Sequence, residues 1–173
     1  MDMSLFTSFQ GRINRAKWWL GSIIMIVVAA IVGWIAGSVI GASIFSMAAE
    51  GGITAENIGS ITRKLSISQL ITVAIIAYPV TALMTKRLND RDRPNYLVYV
   101  FWLPTVLTIL AGLAGLSMTV ADVNGVMMPT QSSLGMILGL LSLVIGIWAL
   151  VELGILKGTP GPNQHGPDPL GGA

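Results

Sequence analysis

The 173-residue chain is 53% hydrophobic and only 10% charged, and its formal net charge is +2. A soluble domain carries roughly 25% charged residues, so this composition excludes a water-facing surface around the whole protein. The small net charge gives no reason to expect a nucleic-acid partner. The length allows one domain, residues 1–173, and the composition assigns that domain to a membrane.

Four long stretches of the sequence contain no Asp, Glu, Lys or Arg. Each has the length of about 20 residues that a helix needs to cross a hydrocarbon core of about 30 Å. The first is also far longer than the apolar region of a cleaved signal peptide, so we expect it to stay in the membrane. No segment alternates apolar and polar residues as a lipid-exposed barrel strand does. The sequence therefore predicts an all-α membrane protein with four transmembrane helices near residues 18–45, 65–85, 96–116 and 134–156, and a Gly/Pro-rich tail over 157–173.

The basic residues predict the orientation of these helices. One group lies before the first helix, between the second and third helices, and in the tail: Arg12, Arg15, Lys17, Lys86, Arg87, Arg91, Arg93 and Lys157. The only other basic residues, Arg63 and Lys64, lie between the first and second helices. Because basic loops stay in the cytoplasm, we expect both termini to be cytoplasmic, in a multi-pass protein of the plasma membrane.

Small residues recur at every fourth position of the first helix, at Ala29, Gly33, Gly37 and Gly41. Helices in lipid gain little from apolar contact, so close backbone approach at such a stripe supplies the association energy. The stripe could form the face of a homo-oligomer, or it could pack the chain's own helices together. We favour packing within the chain, and both interpretations stay open.

Glu152 is the acidic residue within the last predicted helix. A carboxylate inside a membrane marks a functional site by default, here the polar site of a small oligomeric transporter or channel. The alternative is an ion pair with Lys157, or with Lys86 and Arg87 at the end of the second helix. We favour the ion pair, because Glu152 has no neighbouring acid or His with which to relay protons.

Three polar segments match motifs of a known family. The first carries Phe9, Gly11, Arg12, Arg15, Trp18 and Trp19; the second carries Lys86, Arg87, Leu88 and Asp90; the third carries Gly161, Asn163, Gly166, Asp168 and Pro169. Together and in this order they resemble the bacterial inner-membrane proteins of domain-of-unknown-function family 805. The resemblance implies a four-helix inner-membrane fold and supplies no activity. Asn89 departs from the pattern, because the family has His there, so chemistry that used that imidazole would be lost.

All three segments face the cytoplasm in the predicted topology, where they would form a polar cap. Arg12, Arg15 and Arg87 are its donors and Asp90 and Asp168 its acceptors, with paired Arg–carboxylate bonds fixing the geometry. The tail, with Asn163, would be a non-helical strap across the helix ends. The cap could be a structural clasp, a contact for anionic lipid headgroups, or a small-molecule site. We favour the clasp.

The sequence offers little for catalysis. It has no cysteine, and its one histidine, His165, lies in the tail with no second imidazole to share a metal ion. We therefore expect no enzyme activity, cofactor or metal. The predicted function is a structural or accessory membrane component that binds lipid or a larger complex through its helix faces; the alternative is the oligomeric transporter or channel with a polar site near Glu152.

Overall fold

The computed structural model describes residues 3–123 and 126–171, without the side chains of residues 42–51 and 126. Its helices are α1 (Ser4–Thr7), α2 (Arg15–Gly51), α3 (Ile58–Asp90), α4 (Leu97–Leu113) and α5 (Ser133–Ala149). A π-helix (Leu150–Ile155) continues α5 directly. Two strands, β1 (Met118–Val123) and β2 (Val126–Gln131), lie between α4 and α5.

Three helical stretches are long and apolar enough to cross a membrane: Arg15–Gly41, Ile58–Asp90 and Ser133–Ile155. The prediction of long apolar helices is confirmed for these three, which are candidate membrane-spanning helices. The fourth, α4, is apolar but has 17 residues. Helix α3 extends beyond both ends of its predicted span, because a helix satisfies its own backbone groups in water as well as in lipid.

The connection between α4 and α5 contradicts the all-α prediction. Strands β1 and β2 pair antiparallel, from Met118 opposite Gln131 to Val123 opposite Val126. The intervening sequence, Asn124-Gly125, is typical of a two-residue hairpin turn. A short hairpin does not need the alternation of a lipid-exposed barrel strand, so the lack of that pattern in the sequence did not exclude it.

Contacts divide the chain into two compact units. The first unit comprises Met1–Ala29, Ala74–Trp102 and Val144–Ala173, and the second comprises Ala30–Val73 and Leu103–Leu143. In the first unit, Leu83, Leu88 and Leu153 are almost completely buried within one apolar cluster. The single domain expected over residues 1–173 stays a prediction.

Large apolar side chains remain exposed along the helices. On α2, Trp34 is 74% exposed and Val39 is 73% exposed, and on α5 Leu140 is 65% exposed. Apolar surface of this kind is costly in water, at about 25 cal/mol per Å². It is the surface expected of helices surrounded by lipid.

Candidate functional site

Asp90, the last residue of α3, lies at the centre of a buried charged cluster in the first unit. Its Oδ1 accepts a hydrogen bond from Arg12 Nε at 3.2 Å and lies 3.1 Å from Arg12 Nη2 as an ion pair, and its Oδ2 accepts a hydrogen bond from Arg87 Nη1. The three side chains are between 0% and 4% exposed. One carboxylate therefore balances two desolvated guanidinium groups.

Arg12 connects this cluster to the tail. Its Nη1 donates to the carbonyl oxygen of Gly161 at 2.7 Å, and its Nη2 donates to that of Thr159 at 2.7 Å. The backbone N–H of Thr159 in turn donates to the carbonyl of Asp90 at 2.9 Å. The start of the chain, the end of α3 and the tail are thus held at one place.

The end of the last helix is capped by side chains from elsewhere in the chain. Five successive carbonyls accept hydrogen bonds: Leu153 from Arg87 Nε, Gly154 from Trp19 Nε1, Ile155 from Arg15 Nη1, Leu156 from Arg87 Nη2 and Lys157 from Arg91 Nη1. The last carbonyls of a helix lack partners within it, and cations are favoured at this end of the helix dipole. Most of the arginine donors therefore bind backbone oxygens, a role that the sequence reasoning did not predict.

Asp168 forms hydrogen bonds within the tail. Its carboxylate accepts hydrogen bonds from the backbone N–H of Leu170 at 2.9 Å and of Gly161 at 3.0 Å, and these bonds lower the pKa of Asp168. Among the described residues Asp168 forms no direct ion pair with an arginine, although the charge of Arg12 also lowers the pKa of Asp168. The carboxylate instead shapes the tail so that the Gly161 carbonyl is presented to Arg12.

Two asparagines attach the tail and the N-terminal segment to the end of α3. Asn163 Nδ2 donates to the carbonyl of Asn89 at 2.9 Å. Asn89 Nδ2 donates to the carbonyls of Phe9 at 3.3 Å and Gly11 at 3.1 Å. At this position, where the resembled family has His, the side chain of this protein makes a structural contact.

We call the group formed by Arg12, Arg15, Arg87, Asn89, Asp90, Asn163 and Asp168 the clasp. All seven residues lie in the first unit.

Glu152 lies in the π-helix beside the clasp and is 5% exposed. Its Oε1 accepts from Arg91 Nε at 2.7 Å and from Arg93 Nε at 3.1 Å. The carboxylate is therefore paired, but the partners predicted for it, Lys157 or Lys86 with Arg87, are wrong. The true partners lie in the loop between α3 and α4, and sequence spacing does not reveal that this loop reaches the last helix.

The small-residue stripe of α2 has few neighbours among the residues that the structure describes. Ala29 lines an apolar crevice of the first unit, and a Cβ built at Gly33 would lie 3.7 Å from Thr72 Oγ1. A Cβ at Gly37 or Gly41 would meet no atom within 4 Å among the described residues. The described residues therefore give no support at Gly37 and Gly41 for the favoured prediction of packing within the chain, which stays a prediction.

The described part of the chain contains no group of three or more His, Cys, Asp or Glu placed to hold a metal ion. Its chemistry is that of a membrane protein whose buried ion pairs fix the ends of its helices. The sequence profile described as "Protein of unknown function (DUF805)" matches residues 6–167, and the chain belongs to this family. No curated protein and no solved structure matches the chain.

Proposed function

We propose that this protein is a four-helix protein of the bacterial inner membrane with both termini in the cytoplasm. We further propose that it is a structural or accessory component, which binds lipid or a larger membrane complex through its helix faces.

The contacts of the clasp support four membrane crossings, because they favour an even number of crossings in each of two helix pairs. Helices α2 and α3 lead from Arg12 to Asp90, and these two residues are in contact, so the two helices cross an even number of times. Helices α4 and α5 lead from Asp90 to Thr159, which are also in contact. Because α5 with its π-helix is long enough to cross, we propose that α4 crosses as well. Its 17 residues rise about 25 Å, at the short end of transmembrane helices.

The observation that carries the functional proposal is the uncovered face of α2. A Cβ at Gly37 or Gly41 would meet no described atom within 4 Å, and Trp34, one turn before Gly37 on the same side of the helix, is 74% exposed. A partner helix can approach a glycine closely in a membrane, where close packing supplies the association energy. Another copy of this chain or a helix of a larger complex would fit this face.

Lipid contact is proposed for one basic residue of the motifs, Arg15, together with two that the motifs do not include, Lys17 and Lys157. The side chains of Arg12 and Arg87 are 1% and 0% exposed and bind protein groups. Arg15, Lys17 and Lys157 are exposed. Basic residues at the cytoplasmic surface each contribute about 1 kcal/mol to contact with anionic lipid.

The alternative, a transporter or channel with a polar site near Glu152, has less support. Such a site needs a carboxylate that can meet a substrate or ion. The carboxylate of Glu152 is buried and already bound to two guanidinium groups.

The chain contains no native cysteine, so single cysteines test the proposal. Gly37→Cys in native membranes should give a cross-linked adduct with a second copy or with one defined neighbour. Ile35→Cys is the matched control, because Ile35 is 53% exposed on the opposite side of the same turn. Gly21 is unsuitable as a control, since a Cβ there would lie 2.6 Å from Leu83 Cδ2. Equal cross-linking at positions 35 and 37, or none at either, would contradict a specific packing face.

A further inference from the structure

A cleft of about 440 Å³ opens in the second unit, between α3, α4, α5 and the base of the hairpin. Its volume lies within the range of about 300–1,000 Å³ that is usual for small-molecule sites. Its lining is rich in uncharged side chains that form hydrogen bonds: Thr62, Ser66, Gln69, Thr108, Ser117, Gln131 and Ser142.

These polar groups reach well into the membrane-spanning helices. Ser117 and Gln131 flank the hairpin at the helix ends, whereas Ser142 lies nine residues into α5, or about 13 Å along its axis. Polar side chains at such depth are costly unless they find partners. Thr62 and Ser142 donate to carbonyls of their own helices, at 2.8 Å and 2.7 Å.

Three other lining residues, Ser66, Gln69 and Thr108, make no side-chain hydrogen bond to any residue that the structure describes. Their hydroxyl and amide groups can each donate and accept. They are therefore available to water or to a bound molecule.

We infer that this cleft is a hydrated binding site for an uncharged, hydroxyl-rich small molecule. Hydroxyl and amide side chains match hydroxyl groups of a ligand as both donors and acceptors. A charged ligand would lose its hydration without gaining a counter-ion, because the described lining carries no charged residue. Leu65, Met136 and Leu138 give apolar walls for the carbon face of such a molecule. This site is independent of the structural role proposed above.

Hydration of the cleft is tested by thiol accessibility in the cysteine-free chain. A membrane-impermeant methanethiosulfonate reacts with thiolate, which forms in water and not in apolar surroundings. Ser142→Cys should react about tenfold faster than Leu140→Cys, which lies at similar depth on the exposed apolar side of the same helix. Thr108→Cys, compared with Leu110→Cys, repeats the test on α4 in case one variant does not fold. Vesicles of both orientations are used, and equal rates within both pairs would overturn the inference.

The ligand class is tested by protection of Ser142→Cys from the same reagent. Methyl glucoside should slow the reaction, while sodium glutamate at the same concentration should not. Octyl glucoside, used below its critical micelle concentration, distinguishes the two sources of a sugar-like group: a free molecule and a lipid-linked headgroup. Protection by both glucosides assigns a free sugar-like ligand, and protection by octyl glucoside alone assigns a lipid-linked headgroup. Protection by neither, or equal protection by glutamate, would overturn the ligand assignment.

Discussion

Asp90 holds two arginines that arrive from different parts of the sequence, Arg12 before α2 and Arg87 one turn earlier in α3. Both guanidinium groups are almost completely removed from solvent. A buried ion pair adds little to stability relative to apolar packing, but removal of one partner leaves an uncompensated charge. The clasp therefore depends on this one carboxylate.

We expect Asp90→Asn to destabilise the protein by about 3–5 kcal/mol, because it leaves two buried cations without their anion. The control is Asp92→Asn, since the Asp92 side chain is 46% exposed and asparagine tolerates its positive φ of 52°. Thermal unfolding in mild detergent measures the difference. An Asp90→Asn protein as stable as the Asp92→Asn protein would show that the cluster contributes no stability.

The sequence predicted the members of the clasp more accurately than it predicted their hydrogen-bond partners. Motif matches selected Arg12, Arg87, Asn163 and Asp168, and the structure brings all of them to the end of α3 or to the tail. The partners were missed because most of them are backbone carbonyls and N–H groups. Every residue has those groups, so residue types and spacing cannot distinguish the ones that are used.

At the scale of helices, regular spacing does not identify the glycines that pack closely. A Cβ built at Gly154 would lie 2.9 Å from Trp18 and 3.0 Å from Trp19, whereas one at Gly37 would be in open space. Regular spacing by four residues shows only that residues share a helix face. It does not show whether another helix covers that face.

We expect Gly154→Ala to destabilise the protein by about 1–3 kcal/mol, because two large rings would have to move. Gly37→Ala should leave stability unchanged or raise it by up to about 1 kcal/mol, since alanine is the better helix former. Both variants are compared with the parent by thermal unfolding in mild detergent. A loss of stability in Gly37→Ala equal to that in Gly154→Ala would show that the stripe packs within the chain.

The hairpin between α4 and α5 is a second feature that the periodicity of hydrophobic residues did not predict. Its strands have six residues each, and β2 contains Pro129, so neither strand gives a strong alternating pattern. The Asn124-Gly125 dipeptide was the usable signal.

For the whole molecule, composition and charge spacing were the most informative features. Long uncharged stretches predicted the three apolar helices, because hydrocarbon excludes charge over the length of a crossing. The fourth predicted crossing corresponds to α4, which has 17 residues. The contacts of Arg12 with Asp90 and of Asp90 with Thr159 are the observations that support the proposed even number of crossings.

Four crossings with both termini in the cytoplasm is the central claim, and thiol labelling in right-side-out vesicles tests it most directly. Thr130→Cys in the hairpin and Gln164→Cys in the tail both place a thiol at an exposed position of the cysteine-free chain. We expect an impermeant maleimide to label Thr130→Cys in intact vesicles and to label Gln164→Cys only after lysis. Labelling of both cysteines from the same side, or labelling of Gln164→Cys in intact vesicles, would contradict the account.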